Sequence, residues 1–243
     1  MKARRLVATL ALTCVAAPAI AGPPYDTNDP APTDMGHWEI YLFTDAGGSG
    51  PAVDADSGVE LNYGPVKNLQ VSAALPLHFA HDAAGGWRSG VGDFETGIKY
   101  RFINDARSGF SAAVFPKAIL PTSSLGSHQR ARFFFPLWAG KDFARGTSVF
   151  GGGGYMVNPG SGNRDYWTGG MAITHQVTSR FQIGAEANRQ GSDSVGGHGS
   201  TSAGIGAILD LRGPFRLLAS AGPTRTDGGG NGFHAYAALG LDF

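Results

Sequence analysis

The side chains that could hold a metal are few in this sequence and badly spaced for the task. None of its seven histidines forms the His-Glu-x-x-His pattern that puts two zinc ligands on one helical face. His78, His81 and Asp82 are the densest group, but their position at the mouth of a loop, where the predicted strand 68–79 ends, favours a surface loop over a metal site. The single cysteine, Cys14, falls in an export signal, which leaves no thiol for metal or disulfide chemistry. We therefore predict no metal site and no cofactor.

Hydrolysis is the other chemistry that the sequence raises. A serine hydrolase needs a serine, a histidine and an orienting polar group held close together. His198 and Ser200 are near neighbours, but they lie in a glycine-rich stretch with no strand to fix them. The glycines of residues 151–154 are not a phosphate loop, because no Lys-Ser/Thr pair follows them and no helix begins there. We predict that the chain is not an enzyme, and a hydrolase is the weakest alternative.

The N-terminus has the pattern of an export signal followed by a leader. Lys2, Arg4 and Arg5 precede a short apolar run, and small residues end the pattern, which predicts a signal peptide over residues 1–21. The apolar run is too short to span a membrane as a helix. Residues 22–36 are rich in proline and aspartate, which predicts an extended periplasmic leader without regular structure.

The rest of the chain, residues 37–243, alternates apolar with small or polar residues in segments of about ten, the length of a tilted strand that crosses a bilayer. Charged residues make up 16%, below the about 25% of soluble domains. No apolar run after the signal reaches the length of a spanning helix, and a closed barrel is the other structure that satisfies every backbone group in lipid. The 19 basic and 19 acidic residues form no basic patch, so we predict no nucleic-acid partner.

The gaps between the predicted strands alternate in length. We place twelve strands near residues 37–44, 57–63, 68–79, 92–103, 108–119, 130–141, 147–157, 166–176, 180–190, 201–211, 215–222 and 232–243. Every second gap is long, beginning with residues 45–56, and the others are short. Transmembrane barrels have short periplasmic turns and longer extracellular loops. The pattern predicts an all-β, transmembrane, antiparallel up-and-down barrel of about 12 strands with both termini in the periplasm.

Aromatic residues on the apolar faces fall near strand ends, as in the two girdles that flank the apolar band of a barrel in lipid. One predicted girdle consists of Trp38, Tyr63, Tyr100, Phe102, Phe110, Phe181, Phe215 and Phe243, and the other of Phe79, Phe94, Phe133, Tyr155, Trp167 and Phe233. The last strand ends on Phe243, a feature that outer-membrane assembly machinery commonly recognises. We therefore predict that the protein is located in the outer membrane of a Gram-negative bacterium, and that its partners are membrane lipid and the assembly machinery.

Strand parity also selects the side chains that face the lumen. On the lipid side, Lys or Arg at mid-membrane would cost about 2–4 kcal/mol, so the charged face must point inward. The predicted lumen residues are Glu39, Tyr41, Glu60, Glu95, Lys99, Arg101, Lys117, Arg132, Glu186, Asp210, Arg216, Tyr236 and Asp242. Their charges nearly balance, which argues against a strongly ion-selective pore. Inward aromatic residues could pack or contact a hydrophobic solute, and they are Tyr41, Phe43, Phe115, Phe134, Trp138, Phe150 and Tyr236.

Several stretches are similar to the MetA-pathway of phenol degradation family of outer-membrane proteins. They are PPYDTNDP through GHWEIYL at residues 23–42, ELNYG at 60–64, GDFETGIKYRF at 92–102, FPLW at 135–138, GGGGY at 151–155, NPG at 158–160 and NRDYW at 163–167. The resemblance implies an outer-membrane barrel, tied in some members to uptake of aromatic or hydrophobic compounds. It carries over no binding residues.

We predict a monomeric outer-membrane channel or transporter for small solutes, aromatic or hydrophobic in character. One alternative is a closed structural or surface-interaction barrel, whose lumen is bridged by salt links. The other, weaker alternative is an outer-membrane hydrolase. Because the acidic leader directly precedes the first strand, we also predict that residues 22–36 fold into or across the periplasmic mouth, toward Arg101 and Arg216.

Overall fold

A computed structural model of the chain describes residues 23–81, 85–125 and 130–243, so the predicted signal peptide and Asp82 lie outside the described residues. The regular elements of these residues are all strands. They are β1 (Trp38–Ser49), β2 (Ala52–Val66), β3 (Leu69–His81), β4 (Trp87–Val91), β5 (Phe94–Asp105), β6 (Phe110–Val114), β7 (Lys117–Leu120), β8 (Arg132–Phe143), β9 (Thr147–Val157), β10 (Tyr166–Thr178), β11 (Phe181–Gln190), β12 (Ser200–Asp210), β13 (Phe215–Thr226) and β14 (Asn231–Asp242). Among the described residues there is no helix of the length and apolar character needed to cross a membrane.

The strands close into a barrel because the first pairs with the last. β1 runs antiparallel to β14 from Glu39↔Asp242 to Gly48↔Phe233, and to β2 on its other side. β3 pairs with β4 near one end and with β5 near the other. β4 and β5 therefore form one interrupted strand of the barrel. β6 and β7 form a second, broken next to Pro116, which has no N–H to donate to a neighbouring strand. The result is a closed antiparallel barrel of 12 strands, which confirms the predicted fold class.

The two ends of the barrel differ in their connections. At the short-turn end, where β1 begins and β14 ends, the strands are joined by residues 67–68, 106–109, 144–146, 179–180 and 211–214. At the opposite end, which we call the long-loop end, the longest connections are residues 121–131, 158–165 and 191–199. The predicted alternation of short and long gaps is therefore present in part, because β13 and β14 are joined by only residues 227–230, where the prediction has a gap of 223–231, and β4 occupies part of the predicted gap 80–91.

The first connection at the long-loop end is much shorter than the predicted gap of residues 45–56. β1 continues to Ser49, and only Gly50 and Pro51 separate it from β2. Gly50 has a φ of +60°, which glycine adopts without steric cost. Small and polar residues fill both strands here, and this loop-like composition concealed a regular hairpin. The predicted gap is wrong at this position.

The outer surface of the barrel is apolar, as lipid requires. Alternate residues along the strands expose large hydrophobic side chains, among them Leu42, Leu75, Leu77, Ile98, Leu137, Ile173 and Leu217. Aromatic pairs lie at strand ends. Trp38 stacks on Tyr63 with ring centres 4.5 Å apart, and Tyr155 meets Trp167 at 5.2 Å. The opposite set of alternate residues faces the enclosed side, where it meets the leader.

Candidate functional site

The described part of the leader, residues 23–36, lies inside the barrel. At the short-turn end, Met35 forms an isolated bridge with Gly64, and the Gly36 N–H donates to the Gly64 carbonyl oxygen at 2.7 Å. From there the chain runs into the lumen, where half of its residues are buried. A closed barrel offers no free strand edge, so the backbone of the leader must find its partners among lumen side chains.

Glu186 of β11 is the main partner of the leader backbone. Its carboxylate accepts hydrogen bonds from the N–H groups of Asp26, at 3.2 Å, and Thr27, at 3.1 Å. Asn188 donates to the same carboxylate at 2.8 Å and accepts the Thr27 hydroxyl at 2.8 Å. Hydrogen bonds to a charged group contribute about 1.5–3 kcal/mol each. This cluster is therefore sufficient to fix the middle of the leader against the wall.

The side chain of Tyr25 fills a hollow that two glycines create in the wall. Gly184 of β11 and Gly206 of β12 are directly opposite each other in the ladder. A Cβ on Gly206 would lie 2.7 Å from Tyr25 Cε1, and a Cβ on Gly184 would collide with the tyrosine hydroxyl. The ring also meets Phe150 edge-on, with centroids 6.4 Å apart. Next to it, the Ser220 hydroxyl donates to the Pro24 carbonyl oxygen at 2.5 Å.

A buried ammonium group anchors the leader on the other side of the lumen. Lys99 of β5 is 2% exposed, and its Nζ donates to Asn28 Oδ1 at 2.8 Å and to the Ala31 carbonyl oxygen at 3.2 Å. The Asp29 carboxylate lies 3.7 Å from the same nitrogen. Burial raises the pKa of Asp29 to about 7, an effect that the Lys99 charge and the Ala31 N–H oppose. A buried cation needs such partners, and the leader supplies all three of these.

A chain of side-chain amides links the leader to an acid of β2. The N–H and the hydroxyl of Thr33 both donate to Gln70 Oε1, at 2.9 Å and 3.2 Å. Gln70 then donates to Asn62 Oδ1 at 2.8 Å, and Asn62 donates to Glu60 at 2.9 Å. The link from Gln70 to Asn62 crosses from β3 to β2, and the link from Asn62 to Glu60 runs along β2. Polar inward side chains of two neighbouring strands therefore hold Thr33 of the leader.

The predicted lumen residues are all buried or half-buried. Those that do not contact the leader pair mainly with one another or with polar wall residues. The pairs are Tyr41 hydroxyl with Glu39 (3.0 Å), Lys117 with Glu95 (3.9 Å), Arg132 with Asp93 (2.9 Å), Arg216 with Asp242 (3.1 Å) and with Asp210 (3.8 Å), and the Tyr236 ring with Phe43 (6.3 Å). Opposite charges thus lie close together on the wall.

The two arginines that we expected to attract the leader have other partners. Arg101 donates to Asn68 Oδ1 at 3.0 Å, and Arg216 donates to Asp242 at 3.1 Å. Lys99 and Glu186 make the charged contacts with the leader instead. The prediction of the anchoring residues was wrong because strand parity fixes which face a residue occupies but not the depth at which the leader meets it.

Cavities flank the leader, and three of them are well defined by the described residues. The largest of these three, about 1040 Å³, lies at the short-turn end beneath Pro30 and Pro32 and extends to Phe150. A second, about 330 Å³, lies toward the long-loop end and includes Phe134 and Trp138 in its lining. The third, about 230 Å³, lies beside the start of the leader, and its lining is Pro23, Pro24, Tyr25, Asp26, Asn28, Glu39, Asp45, Glu60, Asn62, Gln70, Lys99, Phe115, Lys117 and Tyr236. The leader therefore has free space on both of its sides.

The histidines that we weighed as metal ligands have separate partners. His78 Nδ1 lies 2.9 Å from Asp56 Oδ1, whereas His81 Nδ1 lies 3.0 Å from the Pro51 carbonyl oxygen. Their predicted companion, Asp82, is outside the described residues. His198, weighed for hydrolysis, lies against the backbone position of Gly228.

The leader-binding residues that sequence reasoning missed are neutral: Gln70, Asn188 and Ser220, with the glycines 184 and 206. All of them have inward parity, which the sequence does reveal. Their role was not predictable because a neutral amide or a glycine carries no charge signal that distinguishes a docking site from a plain wall.

Comparison with known proteins supports the fold. No family model matches the sequence, and no curated protein is similar to it. Among solved structures, the COG4313 outer membrane channel from Pseudomonas putida F1 superposes with a TM-score of 0.73 at 12% identity, covering 90% of this chain and 100% of that one. The translocator domain of autotransporter NalP from Neisseria meningitidis gives 0.57 at 15% identity, over 86% and 90% of the two chains.

A third similar structure is the CymD monoaromatic hydrocarbon channel, with a TM-score of 0.53 at 8% identity over 85% of this chain and 88% of that one. At identities this low, the structural similarity shows the fold alone and says nothing about the function. The resemblance to the MetA-pathway of phenol degradation family therefore stays a prediction. The chain has the closed antiparallel barrel fold of Gram-negative outer-membrane proteins.

Proposed function

We propose that the chain is an outer-membrane channel for small solutes of aromatic or hydrophobic character, and that its leader restricts the lumen. The observation that carries this proposal is the arrangement of the leader, which is held by side-chain contacts and has cavities on both sides. The largest cavity, about 1040 Å³, is at the upper end of the range of pockets that hold small molecules. Beyond the bridge of Met35 to Gly64 at the mouth, the described part of the leader is held without sheet pairing, so it can leave the lumen without breaking the barrel.

The lining of the cavities supports a solute with an apolar body and polar groups. Phe115 lies beside two ammonium groups, with the Lys99 and Lys117 nitrogens 5.0 Å and 4.9 Å from its ring centre. Phe134 and Trp138 line the cavity toward the long-loop end together with His234. The similar structures described as an outer membrane channel and as a monoaromatic hydrocarbon channel agree with this proposal. The predicted lumen residues would form the wall of the path.

We infer that the short-turn end faces the periplasm. Outer-membrane barrels keep short turns on that side and longer loops outside. The leader would then enter the lumen from the periplasmic end, and Phe243 would end the strand that the assembly machinery recognises. The chain would act as a monomer, because its 12 strands close without a second copy.

Planar-bilayer recording and liposome uptake test the proposal. We expect the full-length refolded protein to give small conductance steps and slow uptake of a small aromatic alcohol. Deletion of residues 23–33 should raise both. A leader of equal length with its sequence scrambled is the control, because it keeps the chain length but not the contacts to Lys99 and Glu186. Absence of conductance and uptake in every form, with a heat-modifiable band showing that the barrel has folded, would contradict a channel.

A closed structural barrel is the second candidate, and burial of the leader favours it. Thr27 is 1% exposed, Thr33 3% and Asp29 4%, values that belong to a packed core. In this case the leader permanently plugs the lumen, and the loops of the long-loop end form the surface that interacts with other molecules. The same recordings separate the two functions, because a permanent filling gives no conductance in the full-length protein and no uptake of the alcohol.

A further inference from the structure

Three side chains that can bind a metal meet where the leader touches the wall. They are Asp26 of the leader, Glu186 of β11 and His234 of β14, and each offers one ligand atom within 4.8 Å of the other two. No sequence motif marks this group, because its members belong to three separate elements. None of them belongs to the histidine cluster weighed in the sequence.

Two glycines explain how side chains from β11 and β14 can meet. Glu186 is directly opposite Gly204 of β12, and Gly222 of β13 is directly opposite His234. A Cβ on Gly222 would lie 2.6 Å from the Gly204 Cα, so the four residues form one row across the wall. Neighbouring strands are about 4.8 Å apart, which separates the backbones of β11 and β14 by roughly 14 Å. Without side chains between them, the imidazole and the carboxylate can reach toward each other.

His234 has a nitrogen that nothing in the described chain satisfies. Its Nε2 is buried without a hydrogen-bond partner among the described residues, whereas Nδ1 lies 3.4 Å from Thr224 Oγ1. A Cβ on Gly204 would come within 2.8 Å of this Nε2, so the glycine also makes room for the ring. Buried nitrogens normally have a partner, and this one belongs to a side chain that offers a ligand atom within 4.8 Å of those of both carboxylates.

Glu186 keeps the capacity to bind a metal while it holds the leader. Its oxygens accept the N–H groups of Asp26 and Thr27 and the amide of Asn188. An ionised carboxylate has about four lone-pair sites, so at least one remains for an ion. The Asp26 side chain is exposed to the lumen, and it is the backbone N–H of Asp26 that donates to Glu186.

We propose that Asp26, Glu186 and His234 bind one divalent transition-metal ion, of the Zn²⁺ class, which ties the leader to the barrel wall. One imidazole nitrogen with two carboxylates is a donor set that suits Zn²⁺ and its neighbours, whereas Mg²⁺ and Ca²⁺ take oxygen ligands. The ligands come from the leader and from two strands, so the complete site exists only while the leader is in the lumen. By linkage, the ion stabilises that position. The inference holds for a channel and for a closed barrel alike.

Calorimetric titration of the refolded, EDTA-stripped full-length protein with ZnCl₂ tests the site. We expect one Zn²⁺ per chain, with no competition from Mg²⁺. His234→Gln and Asp26→Asn should each weaken the binding by at least about tenfold, the smallest loss expected when a partner of a metal site is removed. His175→Gln is the matched control and should keep the affinity of the wild type, since this exposed histidine is bonded to Thr147 instead.

Hydrogen exchange of the leader gives an independent measurement. Zn²⁺ should slow the exchange of residues 23–33 in the wild type and in His175→Gln but not in Asp26→Asn. Because Asp26 lies outside the wall, that variant does not depend on the folding of an altered strand. Absence of one-to-one binding, or equal affinity in His175→Gln, His234→Gln and Asp26→Asn, would overturn the proposal. A protein that conducts but binds no Zn²⁺ would refute this inference and leave the proposed channel untouched.

Discussion

Replacing Gly206 with alanine adds a single methyl group at the point where Tyr25 packs on the wall. The new Cβ would lie 2.7 Å from Tyr25 Cε1, whereas its next neighbours, the Ala219 carbonyl oxygen and Ser220 Cβ, are 3.1 Å away. Gly206 is not among the glycines with a positive φ, so its backbone conformation allows alanine, and the two contacts at 3.1 Å require shifts of only a few tenths of an ångström. The tyrosine ring must therefore move, and the leader with it.

The size of the effect follows from the cost of overpacking. An extra methyl group in a well-packed site costs about 1–3 kcal/mol. Taking about 2 kcal/mol, the ratio of docked to undocked leader should fall roughly 30-fold, since every 1.4 kcal/mol is a factor of ten. In a Tyr25→Ala background the obstacle is gone, and alanine is better than glycine in a strand by about 0.5–1 kcal/mol. The penalty of Gly206→Ala on leader docking should therefore vanish in that background.

Hydrogen–deuterium exchange of the refolded protein in detergent measures the docking. The amides of Thr27 and Thr33, bonded to Glu186 and Gln70, report on it directly. We expect them to exchange roughly 30-fold faster in Gly206→Ala. Gly47→Ala is the control, because its Cβ would meet only a carbonyl oxygen at 3.4 Å, an ordinary contact. The packing argument would be refuted if the exchange rates in Gly206→Ala equalled those of the wild type. It would also be refuted if Gly206→Ala accelerated exchange equally in the Tyr25→Ala background.

Two further predictions concern the charges of the wall and the lipid surface. Lys99→Met should destabilise the barrel by roughly 3–5 kcal/mol in urea unfolding at pH 8, because Asp29 is left buried without its cation. Burial raises the pKa of Asp29, and loss of the opposing Lys99 charge raises it further, so lowering the pH should protonate the carboxyl and relieve the loss. Lys141→Met, at an exposed position, should show neither effect. Ile98→Arg, on the lipid face, should cost about 2–4 kcal/mol of unfolding free energy in lipid vesicles, and a midpoint equal to that of the wild type would contradict the assigned face.

The fold was predictable because every strand in lipid must expose apolar side chains on its outer face and place polar ones on the enclosed side. In β3, Gln70 and Val71 are adjacent in sequence and differ only in parity. The structure leaves Gln70 5% exposed on the enclosed side and Val71 39% exposed on the outer side. A one-residue shift in any strand would reverse all its faces, so the alternation determines each strand's orientation. The same rule selected the predicted lumen residues, which are all buried or half-buried.

The docking of the leader was not predictable in the same way. Which wall residue lies at which depth depends on the stagger of the closed barrel, and strand lengths alone do not determine it. Lys99 and Arg101 share a face of β5, yet only Lys99 contacts the leader, while Arg101 bonds Asn68. Likewise, the hairpin at Gly50 was hidden because small and polar residues above the apolar band resemble a loop.

Contacts with the leader explain some of the glycines on the inner face of the barrel wall. Glycine weakens a strand by about 0.5–1 kcal/mol relative to alanine, so inward glycines need a compensating contact. Gly184 and Gly206 receive Tyr25, and Gly204 makes room for His234. Removing the leader would therefore leave these hollows empty and deprive Lys99 of its leader partners. Deletion of residues 23–33, which should open the lumen, should therefore also lower the free energy of unfolding. Urea unfolding of the deletion variant measures this loss. A midpoint equal to that of the wild type would mean that the wall is stable without the leader.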